Sequence, residues 1–270
     1  MAKGVLVDVT KCMGCKSCQV ACKSWNDLPA RIPVFADGLN SPNETNGYTY
    51  TAVAIRIVDR ENADVIRSCK RQCMHCLEPA CVSACFTKAL QKNKETGAVV
   101  FYPNLCVGCR YCMIACPFNI PKFQWDKTLS VIAKCQFCFD PSGKYNRLGY
   151  GMLPACVKTC PTGALKFGER EELIGEARNR INKNSAYINQ IYGEKEAGGT
   201  TWLYISDVPL EHFGFPKNIG SRSITEYTRD YMKYTPVAAV SAAILLTALY
   251  KYTERREAVE REKEKKDVSI

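Results

Sequence analysis

Apolar and polar residues alternate at the period of two expected of strands in three parts of the chain. These are MAKGVLVDV at the start, TYTAVAIRIV (49–58) and TTWLYISDV (200–208). A fourth stretch, ALQKNKETGAVVFY (89–102), predicts a hairpin: a short strand, a polar turn ending in Gly97, and a β-branched and aromatic run over 98–102. The period changes in REELIGEARNRI, where Leu173, Ile174, Ala177 and Ile181 fall on one face of a helix. Residues 27–67, with Pro29, Pro33, Pro42 and the Asn46-Gly47 pair, read as an insertion of loops followed by the strand over 49–58. Helices and strands in this order predict an α+β protein.

The last apolar segment has no alternation. TPVAAVSAAILLTALY (235–250) is uncharged over sixteen residues, about 24 Å as a helix. Extended to 232–252 it reaches spanning length, with Lys233 and Lys251 near its ends and Tyr231, Tyr234, Tyr250 and Tyr252 at the levels where interfacial aromatics sit. A buried core helix would not be terminal and followed by a strongly charged tail. Residues 251–270 hold seven Lys and Arg (Lys251, Arg255, Arg256, Arg261, Lys263, Lys265, Lys266) against four in 215–234 (Lys217, Arg222, Arg229, Lys233). The positive-inside bias therefore predicts a cytoplasmic tail and an extracytoplasmic N-terminal part.

Cysteine content changes the picture. Sixteen of the 17 cysteines fall into four groups: Cys12, Cys15, Cys18, Cys22; Cys73, Cys76, Cys81, Cys85; Cys106, Cys109, Cys112, Cys116; and Cys135, Cys138, Cys156, Cys160. Cys69 stands just outside the second. VLVDVTKCMGCKSCQVAC (5–22) repeats as VVFYPNLCVGCRYCMIAC (99–116), and ACFTKAL (84–90) is echoed by TCPTGAL (159–165). The hairpin over 89–102 joins groups two and three, so groups one and four pair by elimination. The expected layout is two nested ferredoxin-like dicluster units with loop insertions. Unit A comprises 1–30 and 124–190, an insertion covers 31–59, and unit B covers 60–123. A C-terminal extension (191–231), a transmembrane helix (232–252) and a charged tail (253–270) follow.

Groups one and three have the spacing C-x2-C-x2-C-x3-C, in which three close thiolates wrap one cubane and the fourth serves its neighbour. Gly14 and Gly108 are placed where the loop backbone comes close to the cluster, and the fourth cysteine is expected to start a helix pointing away. The two-cluster ferredoxin template then implies four ligand quartets for four [4Fe-4S] clusters. These are Cys12, Cys15, Cys18 and Cys160; Cys22, Cys135, Cys138 and Cys156; Cys73, Cys76, Cys81 and Cys116; and Cys85, Cys106, Cys109 and Cys112. With every iron ligated by cysteine, none is left open for substrate, so the expected role is a non-catalytic electron wire. Cys69 is expected to be a buried, unligated thiol and His212 structural; His75, between two ligands, is expected at the surface, the alternative being that it tunes its cluster.

Other readings of these residues fit less well. Zinc sites take two close cysteine pairs far apart in sequence, which group four satisfies but groups one and three do not. Cys69, Cys73 and Cys76 spell the C-x3-C-x2-C of radical S-adenosylmethionine enzymes, yet the strand-helix alternation of their barrel is missing and Cys81 and Cys85 would be orphaned. An odd cysteine count and no apolar run of secretory length argue against a disulfide-stapled secreted chain. The net charge of +10 over 270 residues would suit an anionic partner such as nucleic acid. Four clusters of about −2 each would offset most of it.

CKSCQVACKSWND (15–27), QCMHCLEPACVSAC (72–85), CVGCRYCMIACPFNIPKF (106–123) and ACVKTCPTGALKFG (155–168) together resemble the iron-sulfur β subunit of membrane-bound respiratory formate dehydrogenases. They resemble almost as well the corresponding subunit of membrane-bound nickel-iron hydrogenases. IYGEKEAGGTTWLYISDVPLEHFGFPK (191–217) and the C-terminal span extend the likeness over nearly the whole chain. The resemblance implies a heterotrimer: a catalytic subunit with a molybdenum or tungsten pterin, or with nickel-iron; this electron-transfer chain; and a cytochrome b or related quinone-reactive membrane subunit. It also implies export together with a signal-bearing catalytic subunit, which suits an N-terminus without a signal and favours the formate class. Two departures from the pattern are Phe86, where Pro117 and Pro161 follow the other closing cysteines, and the extra Cys69.

Overall fold

A computed structural model describes residues 2–30, 44–60, 63–126, 132–140 and 146–267; Pro33 and Pro42 of the expected insertion lie outside them. The elements run β1 (Lys3–Asp8), α1 (Ser17–Trp25), β2 (Ala52–Arg60), β3 (Ala63–Arg71), α2 (Ala80–Ser83), β4 (Leu90–Lys92), β5 (Val99–Phe101), α3 (Tyr111–Ala115), β6 (Lys122–Phe123), β7 (Ile132–Ala133), α4 (Ala155–Lys158), β8 (Leu165–Glu169), α5 (Arg170–Lys183), β9 (Trp202–Ile205) and α6 (Ile224–Asp267). The chain divides into two compact units, Met1–Thr225 and Glu226–Ile270.

In the first unit β1 is the centre of a three-stranded sheet, antiparallel to β8 and parallel to β9. Side chains alternate across a strand, and here both faces are covered. Leu6, Leu203 and Ile205 pack on Leu173, Ile174, Ala177 and Ile181 of α5, the four residues that helical spacing put on one face. Val5, Val7, Trp202 and Tyr204 turn the other way, into a core shared with Cys69, Cys73, Cys135 and Cys156. The sheet is thus a partition between a helix layer and a cysteine core.

The expected hairpin over 89–102 is present as β4 and β5, with Gly97 at φ +73° in its turn. The strand over 49–58 is present as β2, but its antiparallel partner β3 went unrecognised. ADVIRSCKR has a strand's alternation, overshadowed by the cysteine motif that it runs into. β3 matters because it carries Cys69 and Lys70. The helix placement in the repeated loops also differs from expectation. The third cysteines, Cys18 and Cys112, lie in the first turn of α1 and α3, whereas Cys22 comes a turn later and Cys116 caps the end of α3. Lys16 and Arg110, both left-handed (φ +59° and +64°), turn the backbone into the helix just before the third cysteine, so the fourth cannot begin it.

Helix α6 contains a segment long and apolar enough to cross a membrane. Three hydroxyls within it donate to carbonyls four residues back, Thr235 to Tyr231 (2.7 Å), Ser241 to Val237 (2.9 Å) and Thr247 to Ala243 (2.8 Å), so these three need no water.

Leu173→Ala would empty a site whose side chain is 2% exposed between α5 and the sheet, at a cost of about 2–5 kcal/mol. The expected outcome is a lower denaturation midpoint for the intact protein, and an unchanged midpoint would contradict this packing.

Candidate functional site

The two copies of the sequence repeat fold alike. A short 3-10 turn, Val9–Lys11 or Pro103–Leu105, delivers the first cysteine. Gly14 (φ +75°) and Gly108 (φ +70°) then reverse the backbone, and the third cysteine enters a helix. At Gly14 the close approach is to the β2–β3 hairpin, where an added Cβ would stand 2.5 Å from Ser68 Oγ. Asp8 anchors the entry to the first loop by accepting hydrogen bonds from Thr10 Oγ1 (2.6 Å) and Arg180 Nη1 (2.9 Å).

The second pair of echoes also has a shared structure. α2 and α4 follow Pro79 and Pro154, each carrying a cysteine at its second position, Cys81 and Cys156. Four residues on, Cys85 Sγ meets Thr87 Oγ1 at 3.6 Å and Cys160 Sγ meets Thr162 Oγ1 at 3.8 Å. Backbone N–H groups supply further donors to sulfur. Phe137 N donates to Cys135 Sγ (3.3 Å), and those of Phe118, Asn119 and Ile120 face Cys116.

The fold gathers the thiols in a definite order. Cys12, Cys15, Cys18 and Cys160 line one cavity together with Lys70. Cys22 lies within electrostatic reach of Cys156 and Cys135, and Cys138 within reach of both Cys156 and Cys22. Cys76 is close to Cys73, Cys81 and Cys116, and Cys112 to Cys85, Cys106 and Cys109. Successive gatherings lie within electrostatic reach of one another: Cys18 of Cys156, Cys135 of Cys73, and Cys81 of Cys112. Cys15 and Cys109, in the first and last gatherings, are the exposed cysteines.

Burial dominates the thiol chemistry. It pushes Cys18 and Cys138 up to about 12 and Cys112 to about 11, and lifts Cys76 and Cys135 well above the ordinary thiol value. Cys85 is the exception. Burial would raise it too, but hydrogen bonds from the Thr87 hydroxyl and from the backbone of Leu90, Ala89 and Thr87 together hold it below its ordinary value. A thiolate is the ligand form, so anions in this core need compensating charge.

Two buried lysines, Lys70 and Lys134, and the half-buried Lys92 supply that charge. Lys70, 1% exposed, donates to Gln72 Oε1 (2.6 Å) and lies 4.3 Å from the Trp202 ring centroid. Burial works to lower its pKa, but Cys156, Cys18, Cys135 and Cys22 outweigh it and hold the ammonium above its ordinary value. Lys92 Nζ donates to the carbonyls of His75 (3.1 Å), Cys76 (2.8 Å) and Gly97 (2.8 Å). Lys134 Nζ donates to Val99 O and to Cys135 O. Sequence reasoning missed all three, because a lysine beside a cysteine has no pattern that separates it from a surface lysine.

His75 is a correction: it is not a surface residue but wholly buried. Its Nδ1 accepts from Val99 N (2.9 Å), its ring stacks on Phe137 (centroids 5.0 Å apart), and its Nε2 has no partner among the described residues. Burial first, then Lys134, Lys92 and Lys70, push its pKa well below the ordinary value. His212 lies exposed in the 3-10 turn Leu210–Phe213. Cys69 is fully buried, with its Sγ 3.7 Å from Lys70 O, and burial raises its pKa well above the ordinary value.

These residues fit iron-sulfur clusters. Among the described residues no three of His, Cys, Asp and Glu converge as they would around a single ion, whereas a cubane, being a body of eight atoms, holds its thiolates further apart. Sulfur-directed N–H groups, buried ammonium ions and the orphaned buried donors on His75 and Trp202 are the environment that such anions require.

Comparison with known proteins agrees. Residues 65–170 match the 4Fe-4S dicluster domain family. The chain is 43% identical to a protein of Nitratidesulfovibrio vulgaris over 97% of its own length and 69% of the relative's. It is 34% identical to the Hydrogenase-2 operon protein HybA of Escherichia coli O157:H7 (82% and 76% covered). To the formate dehydrogenase iron-sulfur subunit of Haemophilus influenzae it is 35% identical (90% and 77% covered). With its cysteine-lined core and these relatives, the chain belongs to the family of [4Fe-4S] iron-sulfur electron-transfer subunits of formate dehydrogenase and hydrogenase complexes.

Proposed function

We propose that the chain is a non-catalytic wire of four [4Fe-4S] clusters, ligated by the four cysteine quartets and ordered from the first quartet to the last. The observation that carries this reading is the unbroken run of thiol gatherings from Cys15 at one exposed end to Cys109 at the other, inside one compact unit. Clusters of this type accept and pass on single electrons. The chain's own residues hold them, keep water out and fix the local charge. Nesting of unit A (1–30 and 124–190) around unit B (60–123) follows from the same quartets, since the first two draw their cysteines only from groups one and four.

Both ends of the run offer apolar surface for partners. Met13 and Val20 are 66% exposed beside the first quartet, and Phe86, Val107, Tyr111 and Ile114 are exposed around the last. Exposed apolar clusters of this kind mark docking faces. The partners that suit the family are a catalytic subunit, of the formate dehydrogenase class by preference and of the nickel-iron hydrogenase class as the alternative, and a quinone-reactive membrane subunit of cytochrome b type. The apolar part of α6 crosses the membrane once, with the Lys- and Arg-rich tail on the cytoplasmic side and the cysteine unit outside. Cys69 is a packing residue and not a ligand.

Three outcomes follow. Anaerobically purified protein should contain about sixteen irons and as much sulfide per chain; about four irons, or zinc, would contradict the wire. Cys69→Ser should keep the full iron content while Cys73→Ser loses or converts one cluster, and equal iron loss in both would remove Cys69 from its packing role. Protease added outside right-side-out vesicles should digest the cysteine unit and spare residues 253–270; the opposite pattern would reverse the orientation.

A further inference from the structure

His75 occupies the seam between the second and third quartets. It lies between Cys73 and Cys76 in the chain, and its ring stacks on Phe137, which lies between Cys135 and Cys138. Cys135 and Cys73 are themselves within electrostatic reach of each other. Both the ring and the backbone of His75 are held by neighbours. Val99 N donates to Nδ1 at 2.9 Å, Lys92 Nζ donates to the His75 carbonyl at 3.1 Å, and Phe137 covers one ring face. The backbone holds φ +48°, a left-handed conformation that a non-glycine residue keeps only when its surroundings impose it.

This geometry sets the tautomer. Because Nδ1 accepts a hydrogen bond from Val99 N it carries no proton, so the ring proton is on Nε2. That N–H is fully buried and finds no acceptor among the described residues. Buried donors are almost always satisfied, and the described protein atoms around it supply no acceptor. The acceptors that the cysteine quartets would bring to this seam are cluster sulfides and thiolate sulfurs.

We infer that His75 donates a hydrogen bond from Nε2 to a sulfur of one of the two clusters it separates, and thereby raises the reduction potential at the middle of the wire. The inference rests on the four-cluster reading above. A hydrogen bond to sulfur favours the reduced form, which carries more negative charge. His75 is thus a positioning and tuning residue at the junction of the two ferredoxin-like units, the one junction where an electron leaves one unit for the other.

Side-chain amides separate the two ring nitrogens. Asn at position 75 can still accept from Val99 N but cannot reach the place of Nε2, while Gln can return a donor there. In redox titrations followed by electron paramagnetic resonance, His75→Asn should keep about sixteen irons and shift one cluster's reduction equilibrium against reduction by roughly fivefold to tenfold. This is about 41 to 59 mV for a one-electron couple, and His75→Gln should recover most of it. Whether the shifted signal belongs to the cluster lost in Cys73→Ser or in Cys135→Ser identifies the accepting side. Four unchanged potentials at full iron content would overturn the inference and leave the wire standing, whereas a wild-type protein with far fewer irons would overturn both. Should His75→Asn lose iron, wild-type protein labelled with 15N only in its two histidines decides. A hyperfine coupling from histidine nitrogen to a reduced cluster supports the hydrogen bond, and its absence, as with a buried water as the acceptor, overturns it.

Discussion

The structure is organised around one electrostatic problem: many thiolates must be held together in a core from which water is excluded. Burial alone drives the thiols of Cys18, Cys76, Cys135 and Cys138 toward their protonated form, the form that does not bind iron. The fold answers with donors and cations. Backbone N–H groups at the left-handed Gly14, Phe137 and Asn119 face sulfur, Thr87 and Thr162 add hydroxyls, and Lys70 and Lys134, buried, with Lys92, half-buried, stand among the cysteines. Iron binding and folding are coupled in such a core, since neither the thiolates nor the ammonium ions would be stable there without the other.

The central sheet and the segments around it make that arrangement possible. Strand β9 comes from the extension after the last cysteine, yet it pairs in parallel with β1, the strand that feeds the first loop. Through this pairing Trp202 and Tyr204 reach the cysteine core, where Trp202 meets Lys70 and Phe137, and Tyr204 accepts from Gln72 Nε2 at 2.7 Å. Arg67 of β3 is clamped to Asp207, just past β9, with a 2.6 Å ion pair. The extension is therefore a structural part of the redox core.

Much of this was readable in the chain. The two repeats announced the paired loops, and the C-x-T echo corresponds to matching hydroxyl contacts at Cys85 and Cys160. Alternation found β1, β2 and β9, and helical spacing found the buried face of α5. What escaped depends on contacts distant in sequence. Nothing local in TTWLYISDV says that it pairs with residues almost two hundred positions earlier, and ADVIRSCKR was eclipsed by its neighbouring cysteines. His75 was misplaced because a polar residue between two ligands is as compatible with solvent as with burial. Its stacking on Phe137 and its bond from Val99 come from other loops. The same holds for Cys135 and Cys73, which lie within electrostatic reach although groups two and four are separated in the sequence by group three.

The most direct test of the central claim is iron-edge anomalous diffraction from crystals of the intact complex. The account predicts four separate four-iron peaks in one unbroken line. Each should be surrounded by one quartet, in the order Cys12/Cys15/Cys18/Cys160, Cys22/Cys135/Cys138/Cys156, Cys73/Cys76/Cys81/Cys116 and Cys85/Cys106/Cys109/Cys112. Fewer peaks, single-metal peaks, or a cluster bound by Cys69 would contradict it.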